Sequence, residues 1–255
     1  MRLSVGTSGF SYAEWRGPFY PEDLPASGRL AWYAGRLSAV EINNTFYRLP
    51  KRGVLEAWAS QVPETFRFAV KASRRITHHK RLADAGDETR YLLEVTQALG
   101  PRLGAILFQL PPNLKLDLER LERFLDLLPA APRVAFEFRH PSWRDPAVLE
   151  RLRERCHAWV VNDDAAGEAP DFLVTAPWAY LRLRRETYSR EELAAWAARV
   201  RARDLEEAFV FFKHEDAGAA PRLAAEFSEV AARGALRRGP RAATSGAPEH
   251  EREAG

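Results

Sequence analysis

The stretch Arg133–Trp143, RVAFEFRHPSW, places a carboxylate and a guanidinium two residues apart and follows them with His140 and Trp143. Side chains of a strand alternate sides, so Ala135, Glu137 and Arg139 share one face while Val134, Phe136 and Phe138 take the other. A buried charge persists where it is paired or used, which makes this strand end a candidate site. The pattern recurs at other apolar stretches, which end in Glu41 and Asn43, Lys71, Gln109, Asn162 and Asp163, Arg182 and Arg184, and Lys213. Glu41 and Glu137 have the chemistry of a general acid and base, as in reactions on sugars, and Asp163 is a third catalytic candidate. The opposing reading is that each glutamate simply pairs with Arg139 or Lys71. Lys71, Arg139, Arg182 and Lys213 suit a phosphate or carboxylate, because guanidinium offers a bidentate fork and lysine a point charge. Asn43, Gln109 and His140 complete the polar contacts, and Tyr12 and Trp143 would stack on or shield a ligand. A desolvated Lys71 or Lys213 is also a candidate for imine formation, as a lesser expectation.

Metal chemistry is the weaker expectation. No HxH or HExxH spacing occurs, so a divalent ion would have to be gathered from distant strand ends such as Glu41, His140, Asp163, His214 and Asp216. No metal ligand is assigned and the cofactor stays open. His78 and His79 read as solvent-exposed loop residues.

Eight strand-like stretches position these groups. They begin at Leu3–Ser8 and continue through Ala39–Asn43, TFRFAVKAS, GAILFQL, the stretch above, HAWVVND, AYLRLR and Glu207–Lys213. Ser4, Gly6 and Ser8 are small and inward, which leaves room at a barrel centre. Helical patterns fall between most of them. Asp87, Asp117 and Asp145 read as N-caps, Pro146 as a first helical residue, and Ser189 with Glu192 as a capping box. The stretch between the sixth and seventh strands is irregular. An open nucleotide-binding sheet would show GxGxxG or GxxxxGK[ST] in its first turn, and Gly6-Thr7-Ser8-Gly9 matches neither. The alternation therefore predicts a single α/β domain, a (β/α)8 barrel of the TIM type over residues 1–233. Residues 234–255 carry almost no large apolar side chain and read as a disordered tail.

The chain has 255 residues, 46% of them hydrophobic and 29% charged, with a formal net charge of +3. That balance accommodates an anionic ligand but is too small to imply nucleic acid. A single cysteine, Cys156, excludes an internal disulfide and a cysteine-rich zinc site, and its apolar flanks suggest plain packing. No apolar run approaches the roughly 18 residues of a membrane span, and the N-terminus lacks a signal-like apolar core. A cytoplasmic protein without membrane contact is expected.

The segments GTSGFSYAEWRGPFYP, VEINNTFYRLP, FRFAVKASRRITH, LGAILFQLPPN and AFEFRHPSW occur in this order over about residues 3–216. Together they resemble the family called domain of unknown function 72, or YecE-like. The resemblance implies a TIM-type barrel and leaves the reaction open. Two places depart from the pattern common in that family. Arg182-Leu183-Arg184-Arg185 stands where Arg-x-His-Gly is frequent, and the eighth strand runs into Lys213-His214-Glu215-Asp216 in place of Phe-x-Asn, which implies a more cationic subgroup. The leading expectation is an enzyme acting by acid–base chemistry on an anionic, sugar-like small molecule, phosphorylated sugars included. The alternatives are a metal-assisted phosphodiester or nucleic-acid enzyme resembling endonuclease IV, and a non-catalytic ligand-binding barrel.

Overall fold

The computed structural model describes residues 1–48, 50–164, 169–213 and 218–236. The expectations for His214, Asp216 and the chain beyond Leu236 fall outside the described residues. Eight parallel strands close into a barrel in sequence order. They are β1 Arg2–Ser8, β2 Ala39–Ile42, β3 Arg67–Lys71, β4 Leu103–Gln109, β5 Val134–Glu137, β6 Ala158–Asp163, β7 Trp178–Leu183 and β8 Glu207–Phe212. The helices are α1 Arg29–Ala34, α2 Arg52–Ala59, α3 Gly86–Thr96, α4 Leu118–Leu125, α5 Pro146–Glu154, α6 Arg190–Arg201 and α7 Ala219–Leu236. The crossover from β6 to β7 contains no helix among its described residues, so this is the (β/α)8 barrel that the alternation predicts, with one irregular crossover. Gly234–Leu236, read from sequence as the start of the tail, continue the last helix. No helix among the described residues is long and apolar enough to cross a membrane.

The caps anticipated from sequence act where local chemistry suffices. Asp117 accepts from the Arg120 backbone N–H, Asp145 from that of Ala147, and Ser189 and Glu192 form a reciprocal capping box. Asp87 differs, because α3 starts one residue earlier; its carboxylate sits in the first turn and pairs with Arg90 at 3.2 Å.

The barrel interior is filled unevenly. Ala39, Ala69, Ala105, Ala135 and Ala158 form one cluster with Trp178, Tyr180, Phe209 and Phe211. Small residues on β2 to β6 thus admit large rings from β7 and β8, and each fully buried ring contributes roughly 2–3 kcal/mol. The amino-terminal floor is closed by Glu207, which accepts from Ser4 Oγ at 2.7 Å and from Arg133 Nη1 at 2.5 Å. On the β1–β2 side a Cβ on Gly6 would fall 1.7 Å from Ala39 O. Glycine is needed there for the neighbouring strand to approach, rather than to leave space at the barrel centre.

Two residues beside β6 depart from expectation or carry a consequence. Cys156 is exposed and adopts a positive φ of 53°, so it is a turn residue rather than part of the core. The adjacent His157 is buried, and burial together with nearby Arg155 pulls its pKa down to about 4. An unfolded histidine titrates near 6.5, so stability is complete above about pH 6.5 and is lost as pH falls toward the folded value. Denaturant titrations at pH 6.5 and 5 should show a loss through this group that steepens toward a limit of about 1.4 kcal/mol per pH unit. His157→Gln should flatten that slope; an unchanged slope would show that His157 does not titrate on unfolding.

Candidate functional site at the carboxyl ends of the strands

Above the apolar layer, the inward residues at the strand ends are polar, and neighbouring strands bring them side by side. Ser8 is in register with Glu41, Gln109 with Glu137, and Asn162 with Arg182. Arg182, almost fully buried, donates from Nη1 to Glu137 Oε2 at 2.6 Å and from Nη2 to Glu41 Oε1 at 2.8 Å. Glu41 Oε1 also accepts from Ser8 Oγ at 2.8 Å and Asn43 Nδ2 at 3.1 Å, while Tyr180 donates to its Oε2 at 2.7 Å. Burial alone would raise the Glu41 pKa, but Arg182 and these donors outweigh it and hold the carboxyl down at about 2. Glu137 is held below its ordinary value in the same way: burial opposes ionisation, and Arg182 and Gln109 more than offset it. Each acid is therefore an ionised partner of one guanidinium. Glu41 is inaccessible to solvent and hydrogen-bonded through both oxygens.

Lys71 has a different environment. Its Nζ donates to Gln109 Oε1 at 2.8 Å and lies 4.3 Å from the centre of the Phe46 ring. Gln109 in turn donates from Nε2 to Glu137 Oε1 at 2.9 Å. Burial, with the cationic Arg182 next in weight, pulls the Lys71 pKa down to about 8. His78 closes this side, with its ring edge-on to Phe46 at 4.9 Å and its Nδ1 at 2.9 Å from Thr77 Oγ1. Burial lowers its pKa, followed by Lys71 and Arg139. His78 was expected in solvent. It belongs to a single π-helical turn, Arg75–His79, immediately after β3, and such turns frequently accompany functional sites. Sequence periodicity carries no mark of one.

Beside Glu137 a cleft of about 460 Å³ opens between the ends of β5 and β6, with Arg139, His140, Arg144 and Asn162 in its lining and the carboxylates of Glu137, Asp164 and Asp171 beside them. Arg139 Nε lies 3.4 Å from Glu137 Oε1 with its side chain still partly open to solvent. His140 Nδ1 accepts from the Ser142 backbone N–H at 3.2 Å and lies 2.8 Å from Ser142 Oγ, which fixes the ring at the cleft edge. Lys213 follows β8, and its N–H donates to Leu183 O at 3.3 Å. Tyr12 donates to Ser8 O at 2.6 Å and lines a separate hollow of about 190 Å³ with Asn43.

Two of the expected site residues are not brought to the mouth. Alternation along β6 turns Asn162 inward and so Asp163 outward. There Asp163 accepts from Tyr188 OH at 3.0 Å and Trp196 Nε1 at 3.1 Å and pairs with Arg185 at 3.2 Å. Its role is to fasten α6 to the barrel, not to act beside Glu41 and Glu137. Trp143 is completely buried on the outer side, stacked on Phe138 at 4.7 Å, with Nε1 donating to Leu114 O at 2.7 Å. It ties the loop after β4 to the loop after β5 and presents no face to a ligand. Of the suggested divalent-ion grouping, His214 and Asp216 lie outside the described residues, and among the described residues no three His, Cys, Asp or Glu side chains are placed to hold a metal ion. Conversely, Tyr180 and Ser8 support the site without having been picked out as site residues. The signal for Tyr180 was its place two residues before Arg182 on one strand face.

Removing a partner from a buried ion pair strands the other charge and costs about 3–5 kcal/mol. Arg182→Met should lose at least that much in urea unfolding, whereas Tyr180→Phe should lose about 1.5–3 kcal/mol, as for one hydrogen bond to a charged group. The pH dependence should also change. In the native chain Glu41 contributes stability above about pH 4.5 that disappears as pH falls toward 2. In Arg182→Met the strongest opposing charge is gone and burial favours the protonated acids, so acidification from pH 7 to 5 should raise the variant's stability relative to that of the native chain. A variant that kept the native profile would show that the lattice does not set these protonation states.

The comparisons with known proteins agree with this fold. The family model described as "Protein of unknown function DUF72" matches residues 4–246. Among curated relatives, the UPF0759 protein YecE of Escherichia coli K12 is 36% identical over 112 residues, 44% of this chain and 41% of that protein. The UPF0759 protein YunF of Bacillus subtilis 168 is 29% identical over 151 residues, 55% of this chain and 54% of that protein. The matched segments thus span about half the length of these relatives, or less. Among solved structures, a DUF72 family protein of Thermotoga maritima MSB8 superposes with a TM-score of 0.79 at 29% identity, covering 90% of this chain and 98% of the other. A DUF72 family protein of Enterococcus faecalis V583, at 22% identity and a TM-score of 0.76, shares the fold. With the family's segments laid out on a closed eight-stranded barrel and its model matched across nearly the whole of it, this chain belongs to the DUF72 family.

Proposed function

We propose that this barrel binds an anionic small molecule of sugar-like size, such as a sugar phosphate, at the carboxyl ends of its strands and acts on it by proton transfer. The observation that carries this reading is the charge arrangement of the mouth. Both buried carboxylates are committed to Arg182, while Lys71, Arg139 and Arg184 stand round them, and Lys71 and His78 both have their pKa values lowered by neighbouring cations after burial. A site whose cations oppose one another is relieved by an incoming anion. The adjoining cleft, about 460 Å³, lies within the range of small-molecule sites, roughly 300–1,000 Å³.

The roles follow from the geometry. Arg139, at the open edge, meets the anion; Glu137, the one of the two acids that lines the cleft, serves as base; Lys71 exchanges a proton near neutral pH; and Glu41 orients Arg182. Asn43 and Gln109 hold the two acids in place, and His140 borders the cleft. In this reading the ligand is a small anion rather than nucleic acid, and barrel enzymes keep their sites at this end.

The melting temperature in the presence of sugar phosphates, inorganic phosphate, short duplex DNA and divalent metals tests this directly. A ligand at about a hundred times its dissociation constant adds about 2.7 kcal/mol, a rise of several degrees for a domain of this size. A rise with a phosphorylated small molecule that is lost in Arg139→Ala is the expected result. A rise only with DNA or metal would overturn the reading in favour of phosphodiester chemistry, and tight binding without turnover would mark a ligand-binding barrel.

A further inference from the structure

We propose that Lys71 is a covalent attachment point, its Nζ forming an imine with the carbonyl carbon of an anionic aldehyde or ketone; this rests on the anion site described above and names its substrate class. Lys71 is the last residue of β3, buried, and points inward at the carboxyl end of the barrel. Its contacts are a neutral amide oxygen, Gln109 Oε1, and the face of Phe46. Glu41 and Glu137 bond to Arg182 rather than to Nζ; they still favour the ammonium form of Lys71, but burial and Arg182 outweigh them. A desolvated lysine among other cations is the arrangement that turns an amine into a nucleophile near neutral pH, and its lowered pKa agrees with that arrangement.

The composition of the chain supports an amine-specific role. Lysine and arginine total 38 residues, and only five are lysine: Lys51, Lys71, Lys80, Lys115 and Lys213. Arginine supplies most of the ion pairs, including those of the mouth. A lysine retained inside the barrel suits a task that guanidinium, which stays protonated, does not perform. Outside the barrel, Lys51 and Lys115 are exposed and Lys80 pairs with Glu88 at 2.8 Å.

The step balances without a redox partner. The Nζ lone pair attacks the carbonyl carbon and the C=O π bond opens to a carbinolamine. The former carbonyl oxygen then leaves as water with both amine hydrogens, and an N=C bond remains. His78, edge-on to the same Phe46 ring that Lys71 faces, is the titratable group at hand to carry those protons, while Gln109 holds Nζ in place.

Glyoxylate, an anionic aldehyde, and propanal, a neutral one, are suitable probes when each is trapped with cyanoborohydride on the intact chain and the adducts are mapped by peptide mass. Glyoxylate should modify Lys71 at least about tenfold faster than Lys51, Lys80 or Lys115. Propanal should show less of that preference, and Arg139→Ala should reduce it. The wild-type labelling pattern is decisive without any variant, and Lys71→Arg serves as the blank. Labelling of Lys71 no faster than the surface lysines, or preferential labelling of Lys213, would overturn the proposal. A phosphate-induced rise in melting temperature that depends on Arg139, without selective labelling of Lys71, would overturn the imine and leave the anion site standing. Neither signal would remove both.

Discussion

The guanidinium of Arg182 lies between two buried carboxylates, and the arrangement of the barrel mouth follows from that placement. In a low-dielectric interior neither acid is tolerated as an unpaired charge. Each therefore takes one arm of the same cation and fills its remaining lone pairs from neighbouring strands. Ser8, Asn43 and Tyr180 serve Glu41, and Gln109 serves Glu137. Five strands are tied together through polar groups that would each be costly alone, so the lattice demands correct strand register.

The lattice also determines the character of its neighbours. Because Arg182 engages both acids, Lys71 is left with an amide oxygen and an aromatic face, and His78 stands in the field of Lys71 and Arg139. The cleft that opens beside Glu137 carries both signs of charge, Arg139 and Arg144 lining it together with Asp164 and Asp171. One buried arginine thus links the stability of the barrel to the electrostatics of its site. Arginine suits that position because its fork reaches two carboxylates at once and stays charged when desolvated.

Several residues show how much of this is visible without coordinates. Glu137 and Arg139 were legible from their shared strand face, as were the caps at Asp117, Asp145 and Ser189, because these features depend only on local periodicity and local hydrogen bonds. Asp163 and Trp143 were not. The same alternation that turns Asn162 inward sends Asp163 to the helix layer, and Trp143 lies in a turn whose direction no period specifies. His78 reads as a solvent-exposed loop residue from sequence because a single π-helical turn after β3 depends on how that loop packs against Phe46.

The family membership stands on ordered segments of the sequence, and the barrel follows from eight apolar stretches alternating with helical patterns, since hydrophobic periodicity is a local property that tertiary contacts only complete. The polar groups at the strand ends could likewise be enumerated from the chain alone. Which of them meet was decided by closure of the barrel. Glu41 and Arg182 are 141 residues apart in sequence and 2.8 Å apart in space, and strand shear and register, which no local pattern encodes, determine that distance. Closure also decided the division of labour, with the two glutamates bound to one guanidinium and Lys71 left beside neutral partners. Charge partnership is a property of the assembled interior rather than of any segment within it.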